Sequence, residues 1–291
     1  MNEILQWGID VIIDIQQIRT PYSDCFFKAI TTLGSGYIYY IVLPVIFWCA
    51  NSTLSARFIL ILFFSLWVNS EFKTILQQPR PYNLDPSVKI GATGGPGLPS
   101  GHAQGSLVFW GYLSFWINKK WFYILSSIII LLIAFSRLYL GVHFPTDILG
   151  GWILGFLILF LFYKYINGIE KWVNSLTVRQ KIMFAFFIPT LLSLIIPTKW
   201  SIHPMAFIAG FGIGYIIERN SIKFDRAVNI SKKFIRAIIG LSGLAALYFG
   251  LNCIVPISSS FFSLLFVYIL HFILGFWTSL GAPWVFIKLR L

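Results

Sequence analysis

An all-α bundle that crosses a membrane several times is the fold class this sequence predicts, and three observations carry that reading. First, 57% of the 291 residues are hydrophobic and 11% are charged, where a soluble domain carries roughly a quarter charged residues; the mean hydropathy is +0.79. Second, aromatic rings make up 18% of the chain, which suits side chains lying at bilayer interfaces. Third, apolar runs fall at 33–50, 57–76, 101–117, 121–139, 147–166, 182–197, 204–217, 236–252 and 259–283, several near the ~20 residues that a spanning helix needs. The period-two alternation of a membrane barrel strand is missing from these runs. Backbone polar groups in lipid must be satisfied within their own segment, so the runs are expected to be helices.

The segments follow in order. Residues 1–31 open with "MNEILQWGIDVIIDIQQIRT", which has no basic n-region and is interrupted by Asp10 and Asp14, so it does not resemble a cleavable signal peptide. Its Ile and Leu residues alternate with acids and Gln, which predicts an amphipathic helix on the surface rather than a span. Residues 32–166 contain the runs that bear unusual polar residues. The short polar stretch 167–181 separates them from 167–291, a region of about four further apolar helices, with a solvated basic connection at 218–235. Cys25, Cys49 and Cys253 form neither a metal spacing nor a disulfide framework and are expected to be inert packing residues.

Net charge is +12. In a soluble protein that excess would suggest nucleic acid; here the loops account for it, and no nucleic-acid partner is expected. With the Lys119–Lys120 loop in the cytoplasm, alternation leaves Arg19, Lys28, Lys73, Arg80, Lys89, Arg137 and Lys199 outside and the other 15 of 22 Lys and Arg inside. Cytoplasmic loops are the basic ones, so loops 77–100 and 138–146 are expected to face away from the cytoplasm.

On the same predicted side lie three stretches whose polar residues are costly near a bilayer: "KTILQQPRP" with Lys73 and Arg80, "PSGH" with Ser100, Gly101 and His102, and "SRLYLGVHFPTD" with Arg137, His143 and Asp147. Three cations gathered at helix ends repel one another unless an anion joins them. Arginine forks match phosphate oxygens and lysine adds a point charge. Gly101 allows close backbone approach, and the first amides of the following helix favour an anion. His143 and Asp147 are four apart and can meet on a helix or across a turn at Pro145. A carboxylate on one ring nitrogen fixes the tautomer and leaves the other as a nucleophile or base, while His102 can supply a proton to a leaving oxygen. No cluster of carboxylates and histidines suited to a metal remains on this side.

Together the three stretches resemble the signature of the type 2 phosphatidic acid phosphatase (PAP2) superfamily: K-x6-R-P at Lys73, Arg80 and Pro81, P-S-G-H at Pro99 to His102, and S-R-x5-H-x3-D at Ser136, Arg137, His143 and Asp147. The resemblance covers roughly residues 22–165 and implies a metal-independent, cofactor-free phosphatase with a helical membrane core. By motif, it implies that His143 attacks phosphorus, Asp147 orients it, His102 protonates the leaving group, and Lys73, Arg80, Ser100, Gly101 and Arg137 hold the phosphate. It further implies a multi-pass membrane enzyme whose partners are the bilayer and a lipid phosphate such as undecaprenyl diphosphate, phosphatidylglycerophosphate, phosphatidate or a sphingoid-base phosphate. The C-terminal extension looks like that of sphingosine-1-phosphate phosphatases and longer bacterial members. The family core usually has two spans before the first motif, whereas here one clear span follows 1–31, so either the N-terminus lies outside or 1–31 is a poorly hydrophobic span.

Other readings are a phosphotransferase, in which a lipid acceptor replaces water, and an anion or lipid transporter, against which stands the clustering of charge at one surface. Vanadate-dependent haloperoxidases have a similar site but are soluble. Nothing in the sequence gives the oligomeric state.

Overall fold

The computed structural model describes residues 3–91, 93–253 and 261–291. The chain runs through α1 (Glu3–Gln16), α2 (Pro21–Thr32), α3 (Gly36–Cys49), α4 (Ser52–Leu76), a one-turn α5 (Pro81–Leu84), α6 (Gly101–Ile117), α7 (Lys120–Tyr139), α8 (Pro145–Ser175), α9 (Val178–Ser193), α10 (Lys199–Ile217), α11 (Ile230–Asn252), α12 (Phe261–Phe276) and α13 (Ala282–Lys288). Each of the nine apolar runs falls on a helix among the described residues; the beginning of the last run, 259–260, lies outside them. Among the described residues six stretches are long and apolar enough to cross a membrane: Ser52–Leu84, Lys120–Tyr139, Pro145–Ser175, Lys199–Ile222, Ile230–Asn252 and Phe262–Lys288. The other three runs give shorter helices, α3 with 14 residues, α6 with 17 and α9 with 16. At 1.5 Å per residue these fall short of a ~30 Å hydrocarbon core. Cys25 and Cys253 are exposed, not packed, and Cys49 is half-buried.

Two compact units are present, and they do not follow chain order: one comprises Met1–Ile38 with Val68–Tyr163, the other Tyr39–Trp67 with Lys164–Leu291. In the first, α6 and α8 run parallel with almost no side chain between them. A Cβ on Gly151 would lie 2.6 Å from the Ser100 carbonyl, and one on Gly155 would lie 3.2 Å from the Gln104 carbonyl. Small residues let membrane helices approach this closely. Ala103, Ala134 and Ile148 form the core where α6, α7 and α8 meet, flanked by Leu138 and Trp152. Helix α2 descends along α7, with Phe27 against Phe135 and Tyr139. Its start is fixed by Thr20, which exchanges hydrogen bonds with Ser23 in a capping box.

The second unit joins the early hairpin residues to the C-terminal helices. Phe63 stacks on Phe207 at 4.2 Å between ring centres, and the Trp48 indole donates to the Thr278 carbonyl at 2.8 Å. Helices α10 and α12 run parallel and touch backbone to backbone. A side chain on Gly210 would overlap the Phe272 carbonyl, and one on Gly275 the Phe207 carbonyl. Replacing Gly210 with Leu must part these helices, and overpacking of this kind costs about 1–3 kcal/mol. Gly210→Leu is expected to lower the thermal unfolding midpoint in detergent. Gly250→Ala, with nothing among the described residues within 4 Å of the added carbon, should leave it unchanged or raise it.

Candidate active site

Lys73 lies in the last turn of α4, where its Nζ donates to the carbonyls of Pro96 at 2.6 Å and Gly97 at 2.9 Å. The chain then turns through Gln77, at φ 50°, and Pro81 opens α5, which leaves Arg80 as its N-cap. The Arg80 guanidinium is buried. It donates from Nε to Gly95 O (2.8 Å), from Nη2 to Gly94 O (2.9 Å) and from Nη1 to Val142 O (2.7 Å), with His143 Nε2 3.2 Å from Nη1.

Ser100 caps α6, and its own N–H donates to the Asp147 carbonyl at 2.9 Å. The sequence reading gave Gly101 as room for a ligand. In the structure that room is taken by Asn69, whose Oδ1 would lie 3.0 Å from a Cβ there. Asn69 in turn donates to Gln104 Oε1 (2.8 Å) and Pro99 O (3.3 Å), pinning the 99–104 turn to α4. His102 sits half-buried in the first turn of α6 beside Gly34, where a Cβ would come 3.4 Å from its ring.

Arg137, in the last turn of α7, is buried; its Nη1 donates to Thr31 Oγ1 at 2.6 Å and its Nε has no partner among the described residues. Beyond it the chain must reverse. Gly141 adopts φ +65° with its Cα against the Val88 carbonyl, so that any Cβ would overlap that oxygen, and the Ile90 and Gly91 amides bond to Leu140 O. The turn delivers His143 and Phe144 to the start of α8, which Pro145 opens. His143 and Asp147 therefore meet across a turn, with Nδ1 3.0 Å from Oδ2. The same carboxylate oxygen accepts the Phe144 N–H at 3.0 Å.

This geometry fixes the imidazole's tautomer. A guanidinium can only donate, so His143 Nε2 accepts from Arg80, the ring proton sits on Nδ1, and Asp147 accepts it. Burial holds the His143 pKa well below its ordinary 6.5, and the charges of Arg137, Arg80 and Lys73 push the same way. The result is a neutral ring whose Nε2 lone pair is held by Arg80, in the field of Arg137 and Lys73. Arg137 Nε has no partner, and one Nη2 proton of Arg80 is left over from the bonds above. A tetrahedral oxyanion suits these donors. Among the described residues no three His, Cys, Asp or Glu side chains are grouped to hold a metal ion.

Sequence reasoning missed the residues that support this set. Gln78 donates from Nε2 to Asp147 Oδ1 at 2.7 Å, while its carbonyl accepts the Gly97 N–H at 2.8 Å. It lies inside the Lys73-to-Arg80 stretch, a polar residue two positions before a cation already singled out. Asn69, one helical turn before Lys73, was legible by the same spacing. Thr31 gave no signal, because nothing local marks it as an arginine partner.

The fold and the site define a class: a multi-pass membrane protein that gathers three cations, a His–Asp pair and a second histidine at one end of its helices. Residues 54–171 match the PAP2 superfamily model, and residues 202–291 match the transmembrane extension of PAP2 superfamily phosphatases. Over these two stretches the chain belongs to the PAP2 superfamily. It is similar to lipid phosphate phosphatase delta of Arabidopsis thaliana, with 28% identity over 58% of this chain and 44% of that protein. It is also similar to the glucose-6-phosphatase catalytic subunit 1 of Haplochromis nubilus (25%, over 65% and 60%) and to the undecaprenyl-diphosphatase of Sulfolobus acidocaldarius (37%, over 31% and 44%). The chain thus spans about half the length of these relatives. The crystal structure of a PAP2-type phosphatidylglycerolphosphate phosphatase from Bacillus subtilis shares the fold over 58% of this chain and 89% of that one, at a TM-score of 0.50 and 24% identity.

The Gln78 contact yields a prediction. A hydrogen bond to a charged group is worth about 1.5–3 kcal/mol, so Gln78→Leu is expected to lower kcat by roughly tenfold or more through a misaligned Asp147, with KM little changed. Steady-state kinetics on a phosphate ester checks this, and Gln78→Glu should be no better than Leu, since a carboxylate cannot donate.

Proposed function

We propose that this protein hydrolyses a lipid phosphate monoester or diphosphate through a phosphohistidine intermediate. The observation that carries the reading is the line Asp147–His143–Arg80, which leaves a buried, neutral imidazole with its Nε2 lone pair facing cations. The Nε2 lone pair of His143 attacks phosphorus as the bond to the leaving oxygen breaks, and His102, protonated once the phosphate dianion offsets the surrounding cations, gives that oxygen a proton. Asp147 holds the Nδ1 proton and balances the charge that develops on the ring. Lys73, Arg80 and Arg137 neutralise the equatorial oxygens, aided by Ser100 and the amides at the start of α6. Water, deprotonated by His102, then attacks phosphorus and the P–N bond breaks, releasing phosphate and restoring both histidines. Fixed cations perform the charge neutralisation that a metal would otherwise supply. The catalytic machinery belongs to residues 32–166, with 167–291 as a membrane extension, and the site faces away from the cytoplasm, as the charge bias of the loops supports.

A lipid substrate is favoured by an open apolar groove between α7 and α8, lined by Leu131, Leu138, Pro145, Leu149 and Trp152. Pro145 lies two residues from His143, so the groove reaches the loop that would carry the nucleophile. The glucose-6-phosphatase relative supports a second reading, a soluble sugar phosphate. Phosphate release from phosphatidate, undecaprenyl diphosphate, a sphingoid-base phosphate and glucose 6-phosphate, compared in the presence and absence of EDTA, separates the two. Lipid turnover that survives chelation is expected; turnover of the sugar alone, or loss restored by Mg²⁺, would replace this reading.

Three further outcomes follow. His143→Ala should abolish both turnover and phosphoenzyme, whereas His102→Ala should be partly rescued by p-nitrophenyl phosphate, whose leaving group needs little protonation; general acid catalysis is worth about 10²–10⁴ in rate. The acid limb of kcat/KM should lie below pH 6.5, because the depressed pKa keeps His143 unprotonated in the free enzyme as pH falls. The limb in kcat should lie higher, because a bound phosphate dianion offsets the surrounding cations. Finally, Ser87→Cys in a variant lacking Cys25, Cys49 and Cys253 should react with an impermeant maleimide on intact cells; labelling only after permeabilisation would reverse the orientation.

A further inference from the structure

Helix α1 divides into three faces. Gly8, Ile9, Ile12 and Gln16 are turned into the protein. A second face carries Ile4, 57% exposed, Trp7, 52% exposed, and Val11. The third carries Gln6, Asp10 and Asp14, with Gln6 bonded to Asp10 at 2.9 Å; Ile13, 44% exposed, stands at its border. At 100° per residue the inner face lies about 120° from the apolar one and about 145° from the acidic one; the apolar and acidic faces lie about 95° apart, with Trp7 and Asp14 side by side at their border. A helix on a soluble surface needs two faces, protein and water. A third, apolar and built around a Trp, is what a helix lying in a lipid interface presents.

The contacts of the inner face place α1 at that depth. Ile9 and Ile12 pack on Val88 and Phe144, and a Cβ on Gly8 would lie 2.6 Å from the Phe144 ring. Gln16 Nε2 donates to both the Val88 carbonyl (2.8 Å) and the Tyr139 carbonyl (2.9 Å). Tyr139 ends one membrane-spanning stretch and Pro145 begins the next. A 14-residue helix is about 21 Å long, yet its partners all lie at this one level, so α1 runs across the helix ends rather than alongside them.

The inner face also grips 139–144, the segment that turns His143 toward Arg80. We propose that α1 is an interfacial clamp: its Ile4, Trp7 and Val11 edge seats in the headgroup boundary of the bilayer, and through Gly8, Ile9, Ile12 and Gln16 it holds the His143 loop in its productive turn. The occupant of the exposed edge is the lipid surface itself, and the acidic third face stays in water. The kinetic part of this proposal rests on His143 being the nucleophile; the membrane and loop parts do not.

The test uses the full chain in phosphatidylcholine nanodiscs. In a variant with the native cysteines replaced, a bimane probe at position 7 or 11 is expected to be quenched by a headgroup-depth nitroxide lipid and shielded from aqueous iodide, with the reverse at positions 6 and 10. Equal quenching at all four positions, or lipid quenching at 10 and not at 7, overturns the membrane contact. Trp7→Glu alters an exposed residue and leaves the buried face intact. It is expected to speed hydrogen–deuterium exchange of the amides of 139–147, whereas Asp10→Asn does not; unchanged exchange in Trp7→Glu overturns the coupling. In the same discs Trp7→Glu should lower kcat roughly tenfold, the scale of removing a half-buried aromatic contact, for a lipid phosphate and for p-nitrophenyl phosphate alike. A loss confined to lipid substrates would assign α1 to substrate access and overturn the clamp. An inactive wild type would count against the hydrolase reading alone, since quenching and exchange are read without turnover.

Discussion

Arg80 carries the constraint on which the site depends. Its guanidinium reaches four acceptors on two segments remote in sequence: the carbonyls of Gly94 and Gly95 in the glycine-rich loop, and the carbonyl of Val142 with the ring of His143. A side chain with five donors in a rigid plane can do this, and a lysine cannot. The plane fixes where the His143 ring stands, and the ring fixes the carboxylate of Asp147, whose other oxygen is taken by Gln78 from the same stretch that bears Arg80. The loop of contacts closes on itself: 78–80 holds both ends of the His–Asp pair.

That arrangement confronts an electrostatic problem. Lys73, Arg80 and Arg137 are brought near one another in a buried setting where like charges interact strongly. Carbonyl dipoles from 94–97 take up donors of Lys73 and Arg80, and Thr31 takes one from Arg137. Carbonyl oxygens are weaker acceptors than phosphate oxygens. A phosphate dianion entering the site would exchange these contacts for charge-assisted ones, which is a reason for the cations to be preorganised around backbone rather than around carboxylates that would compete with the substrate.

Much of this was legible in the sequence because chemistry that is costly in a membrane stands out against an apolar background. Lys73, Arg80, His102, Arg137, His143 and Asp147 stood out by occurring together on one predicted side, and the structure brings them to one end of one unit. What could not be read was contact between segments. Gly101 suggested a ligand, but its missing side chain makes space for Asn69. Gly141 carried no local signal, although its positive φ permits the turn that presents His143. The nine apolar runs were found, yet three form helices shorter than a membrane is thick, because composition marks burial in apolar surroundings and not length. Nor could the grouping of Tyr39–Trp67 with the C-terminal helices be foreseen, since Phe63 on Phe207 and Trp48 on Thr278 are pairings across most of the chain.

That last grouping has a temporal consequence. The Trp48 indole and the carbonyl it reaches on Thr278 are 230 residues apart. At ~5–20 residues per second of synthesis, the partner emerges on the order of 10–45 s later. Until then Phe47, Trp48 and Phe63 lack the partners Phe211, Thr278 and Phe207 that cover them in the folded chain. The His–Asp site can be complete while these residues still wait, because everything from Asn69 to Asp147 has by then been made. Synthesis therefore completes the residues of the His–Asp site before Trp48 can meet Thr278.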